Sequence, residues 1–137
     1  MLQLESIEGA YSFHSYDSHS ARLIKPDHNI HSKAAETDDF ITISSTTLIY
    51  KEQLETEQLP ANFSEFDEQC VQQLCQYDAE IFLIGTGMHS QFPARTVLQY
   101  IAHHKLAIDF MDLGAASRTF NILSSEYRKV AALIFFS

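Results

Sequence analysis

The stretch Ile81–Arg95, I-F-L-I-G-T-G-M-H-S-Q-F-P-A-R, decides the fold: an apolar strand, a turn punctuated by Gly85 and Gly87, and Pro93 where a helix can open. The alternation continues downstream. The spacing predicts a helix over Pro93–Lys105, a strand over Ala107–Met111, a helix over Gly114–Ser125 and a last strand over Val130–Phe136. Val97, Leu98, Ile101 and Ala102 form the inner face of the first helix, and Ala115, Ala116, Phe120 and Leu123 that of the second. Strands this apolar are covered on both faces, and alternating strands and helices define a layered α/β domain.

The preceding half is richer in strands, so a mixed sheet is expected. Short strands are read over Ala10–Phe13 and Ala21–Ile24, with a turn at Asp27–Asn29 after Pro26. Phe40–Tyr50, F-I-T-I-S-S-T-T-L-I-Y, reads as one strand or as two joined near Ser44 and Ser45. Lys51–Phe63 reads as a polar connection. Ser64 then caps a helix that carries Phe66, Cys70, Val71, Leu74 and Cys75 on one stripe and ends near Tyr77.

The formal charge of −9 is unevenly spread: residues 36–80 hold 11 acids against Lys51 alone, whereas residues 81–137 hold 3 acids and 5 bases. Binding to nucleic acid needs Lys and Arg to replace counterions along phosphates, so that class is set aside. The acidic segment reads as a solvated face, or as one that steers a basic partner. Cys70 and Cys75, five apart on a helix, diverge too far for a shared metal or a disulfide. Met1–Phe13 carries no Lys or Arg, as a targeting peptide would, and the longest apolar run, Val130–Phe136, is far short of a membrane span. A cytoplasmic, soluble chain is expected.

Parallel strands at 80–84 and 107–111 would bring the loops Gly85–Phe92 and Asp112–Ser117 to one rim, where open α/β sheets bind ligands. Gly85 and Gly87 permit positive φ and close backbone approach, free N–H groups at the head of the Pro93 helix suit an anion, and Arg95 and Arg118 add charge. A G-x-G lacking a third glycine or a P-loop lysine falls short of a nucleotide fingerprint. His89, Ser90 and Asp112 hold the parts of a nucleophilic site without its strand-to-helix elbow, so no catalytic residue is assigned. His28 with His31, and His103 with His104, lack the ligands that would complete a zinc or iron site, so no metal or cofactor is expected. The head of the second helix is the stronger candidate. There Ser117, Arg118, Thr119 and Asn121 face a ligand or partner; alternatively Arg118 braces Asp112 or Glu126 while Asn121 satisfies backbone groups.

I-F-L-I-G-T-G with Phe92–Pro93, followed by M-D-L-G-A-A-S-R-T-F-N-I-L-S-S-E-Y-R-K-V-A-A from Met111, resembles the domain-of-unknown-function 498/598 family. The match is strongest over residues 80–135, within a single domain spanning 1–137. The family includes an assembly factor of mitochondrial respiratory complex I, and the resemblance implies three layers with a central mixed sheet flanked by helices. It implies no established reaction. Leu113, Ser117 and Phe120 stand where the family pattern has threonine, commonly cysteine, and tyrosine, which weakens hydroxyl chemistry at the first and last of these places. The expected function is a non-catalytic binding or assembly module, its partner another assembly protein or an enzyme subunit. The alternative is a small enzyme or anion binder using the rim, with Gly85, Thr86, Gly87, Arg95, Asp112, Ser117, Arg118, Thr119 and Asn121 as the contact residues.

Overall fold

The structure, a computed structural model, describes residues 9–26 and 39–136. In chain order the strands and helices are β1 (Ser12–Tyr16), β2 (Ala21–Ile24), β3 (Phe40–Ile43), β4 (Thr47–Tyr50), β5 (Gln53–Glu55), α1 (Glu68–Leu74), β6 (Ile81–Thr86), α2 (Arg95–His103), β7 (Ile108–Met111), α3 (Leu113–Ser125) and β8 (Val130–Phe135). The turn expected at Asp27–Asn29, together with His28 and His31, lies outside the described residues.

The C-terminal alternation is present as expected. β6 pairs in parallel with β7 on one side and β8 on the other, while β4 joins β8 and β5 joins β4 in antiparallel fashion, giving a mixed five-stranded sheet in the order β5-β4-β8-β6-β7. The period of two along each strand divides the core. Leu48, Phe82, Ile84 and Leu133 face α1, α2 and a Phe-rich turn, while Ile49, Leu83, Ala132 and Ile134 face α3.

Of the two readings of Phe40–Tyr50, the two-strand one holds. Phe40–Tyr50 is two strands, and they part company: β3 pairs with β2 in a separate antiparallel sheet, β1-β2-β3, which packs beside α3, whereas β4 enters the large sheet. At the corner, Thr47 Oγ1 donates to Ser45 O and Thr46 Oγ1 to Ala61 O. The polar connection after Lys51 contains β5. Its two-residue turn puts Lys51 at φ 54, a left-handed conformation that is usually signalled by glycine or asparagine, and this sequence carries neither there.

The helix expected from Ser64 starts later. Phe63–Glu65 is a single 3₁₀ turn, Phe66 is extended, and Asp67 caps α1 by accepting from the Cys70 N–H at 3.1 Å. Phe66 breaks the helix because it is drawn into the core, where it and Phe63 pack their rings against Phe110 and Phe135. Cys70 is buried, Cys75 is exposed, and both are free thiols. On α2, Val97 and Ile101 point inward as expected, but Leu98 and Ala102 are exposed. On α3, Ala115 and Leu123 are half-buried, while Leu113, Gly114, Ser117 and Ser124 join Ala116 and Phe120 inside.

Candidate functional site

β6 leads into α2 on one face of the sheet, and β7 leads into α3 on the other, so the chain diverges at the C-terminal ends of these neighbouring strands. Such a divergence leaves a crevice in open α/β sheets. Here the crevice is filled by the chain's own hydrogen bonds. Thr86, 2% exposed, directs its Oγ1 at His89 O (2.7 Å) and Met111 O (3.2 Å) and accepts from the Gln91 N–H (3.1 Å). The Gln91 amide donates to Thr86 O at 2.9 Å, and the Leu113 N–H donates to Gly87 O at 2.7 Å. Thr86 thereby fastens the loop after β6 to the end of β7.

The two glycines serve different purposes. Gly87 has φ 94, as the turn requires. Gly85 does not: its backbone suits any residue, but a Cβ there would lie 2.9 Å from Ile134 Cδ1 and 3.3 Å from Ala116 Cβ. Its lack of a side chain lets α3 sit close on the sheet.

At the head of α3, Asp112 caps the helix by accepting from the Ala115 N–H at 2.8 Å. Ser117 is fully buried and donates to Leu113 O at 2.8 Å. Thr119 is half-buried. Asn121 grips the middle of β1, its Oδ1 accepting from the Phe13 N–H (2.7 Å) and its Nδ2 donating to Phe13 O (2.9 Å). Two backbone groups on a strand edge would otherwise lack partners. Asn121→Ala is expected to lower stability by about 2 kcal/mol, measured by urea unfolding, because both groups lose their partner at once; a loss under about 0.5 kcal/mol would mean that water replaces the amide without cost.

Arg118 makes no ion pair among the described residues. Arg128 pairs instead with Glu80, whose carboxyl it holds below the ordinary carboxylate value, and Lys129 pairs with Asp78, tying the start of β8 to the start of β6. Arg118 reaches back along α3 toward Gly114, as helical side chains do. A Cβ built on Gly114 would lie 3.3 Å from Arg118 Nη1 and 2.4 Å from the Tyr16 hydroxyl oxygen. Tyr16 is therefore the residue that sequence reasoning missed. It comes from β1, about a hundred positions away, and no local pattern marks it. Arg95 is exposed at the start of α2, and Phe92 before it is 67% exposed, its ring 6.3 Å from that of Phe110. Among the described residues no three His, Cys, Asp or Glu side chains converge on a metal-sized site.

The fold and rim define a small α/β domain with a central mixed sheet and a strand-end crevice closed from within. The chain belongs to the family described as protein of unknown function (DUF498/DUF598), whose pattern matches residues 30–135. A 13 kDa major membrane protein of Francisella tularensis subsp. holarctica is 38% identical over 55 residues, covering 40% of this chain and 45% of that protein. The match thus spans less than half of the relative's length. Among solved structures, a Xanthomonas campestris protein superposes with a TM-score of 0.69 at 22% identity, covering 91% of this chain and 83% of that one. A Bartonella henselae crystal structure described as an outer membrane protein gives 0.67 at 23% identity, covering 95% and 98%. At these identities the likeness is one of fold. No helix among the described residues is long and apolar enough to cross a membrane.

Proposed function

We propose that this chain is a non-catalytic binding module that engages a protein partner through the rim, in the manner of the complex I assembly factor it resembles. The observation that carries the reading is the internal use of polar groups: Thr86, Ser117 and Asn121 spend their hydrogen-bonding atoms inside the fold, and Asp112 caps α3 through Oδ1. A general base or a nucleophile needs such an atom free to meet substrate. What the rim turns outward is Arg118, Arg95 and the ring of Phe92, together with Met88, His89 and Ser90. Arginine and aromatic side chains are the groups that anchor protein interfaces. The membrane-protein name borne by one similar protein is compatible with a partner at a membrane.

The test is affinity capture from the native cell by the tagged chain and by a Phe92→Ala/Arg118→Ala variant, with native mass spectrometry of both. One partner should be captured reproducibly and bind the variant about thirtyfold more weakly, the effect of losing about 2 kcal/mol at an interface centre. Both side chains are exposed, so the variant keeps its circular dichroism spectrum. A stoichiometric organic anion retained through purification, with no protein partner, would replace this reading with the small-molecule one.

A further inference from the structure

Near the opposite edge of the large sheet, beside β5, a cavity of about 110 Å³ opens between the sheet, α1 and the chain at residues 57–60. Its inner walls carry Leu48 and Leu133 from the sheet, Leu74 from α1, and Leu59 and Tyr77 at the sides. Glu55 and Glu57 stand exposed at the mouth, with Gln58 and Gln73 beside them. From there a shallower groove runs past Pro60 to Glu65 and Asp67. No Lys, Arg or His lines either part.

Size and charge together select the occupant. The enclosed part, about 110 Å³, suits one aliphatic side chain, and the open groove beside it, about 360 Å³, suits the chain that bears it. Asp67 and Glu65 are engaged in capping backbone N–H groups, which leaves Glu55 and Glu57 as the carboxylates at the mouth. Burial first, and then the negative charge of Glu55, push the Tyr77 phenol above its ordinary value, as an unneutralised carboxylate would. Glu55, Glu57, Glu65 and Asp67 line the cavity and groove with no Lys, Arg or His among them, so the local field draws cations.

We propose that this groove docks a cationic segment of a protein partner, which seats one aliphatic side chain in the cavity and sets its Lys or Arg residues against Glu55 and Glu57. The site is distinct from the rim: the acids at its mouth supply charge selection, and the apolar walls supply the anchor. Both elements are needed, because exposed ion pairs alone contribute little.

Three capped peptides test it by NMR titration of the full ¹⁵N-labelled chain: KLKK, ELEE, and KGKK, which lacks the anchor. KLKK should shift the amides of Leu48, Leu59, Leu74 and Tyr77 and saturate. ELEE should shift none of them, and KGKK should bind about tenfold more weakly, the effect of withdrawing one buried aliphatic side chain. A Glu55→Gln/Glu57→Gln variant, altered only at exposed positions, should weaken KLKK about tenfold, and added salt should weaken it further. The proposal falls if KLKK produces no saturable shift at about 5 mM, a concentration that would detect even an affinity near −4 kcal/mol. It also falls if ELEE or KGKK binds as well as KLKK, or if the shifted amides lie at the rim.

Discussion

Gly85→Val is expected to destabilise the fold by about 3 kcal/mol, at the upper end for an overpacked core site. The missing side chain at Gly85 faces Ile134 Cδ1 and Ala116 Cβ, and both neighbours are fully buried. Ala116 cannot move without moving α3, and Ile134 is fully buried near the end of β8, so a valine must push the helix off the sheet. Gly85→Ala should cost less, and Ile134→Val should recover part of that loss by removing the Cδ1 atom 2.9 Å away. Urea unfolding of the four variants measures the coupling directly. If Gly85→Ala were neutral, with no coupling to Ile134→Val, the glycine would not be setting the distance between α3 and the sheet.

Thr86→Val is expected to cost about 2–3 kcal/mol. The substitution keeps the shape and deletes only the hydroxyl, which stabilises backbone groups of His89, Gln91 and Met111 in a site 2% exposed. Buried backbone groups left without partners cost about 1–3 kcal/mol each, softened where water can enter. Hydrogen exchange at the Gln91 amide should accelerate with the loss of stability, and Thr86→Ser should restore most of both. Were the valine variant as stable as the parent, with Gln91 still protected, the rim would be closed by something other than this hydroxyl.

The same residues show how far the sequence could be read. I-F-L-I and V-A-A-L-I-F-F announce buried strands because an apolar run can be satisfied only with a layer on each face, and that reading holds. Phe40–Tyr50 is equally rich in β-branched residues, but nothing in the run says that its two halves pair with different sheets; the choice depends on partners at Ala21–Ile24 and Ala131–Ile134. Phe66 reads as the first turn of a helix by spacing, yet the aromatic cluster claims it and helix formation yields. At the rim, proximity was legible and availability was not. Parallel strands predict that Thr86 and Met111 end side by side, but only coordinates reveal that the threonine hydroxyl fills the gap between them.

The sequence alone determined the order of buried strands and helices over residues 80–135, the absence of a recognisable catalytic motif and the concentration of negative charge in residues 36–80. These are properties of local pattern and of summed charge, which no long-range contact can alter. The tertiary structure decided that Gly85 spaces a helix, that Asn121 holds a strand 108 positions earlier, that Tyr16 covers Gly114, and that a cavity opens beneath Glu55 and Glu57. Each of these is a contact between segments far apart in the chain. Which partner a side chain meets is fixed by how the layers pack, and packing depends on the whole set of residues at once.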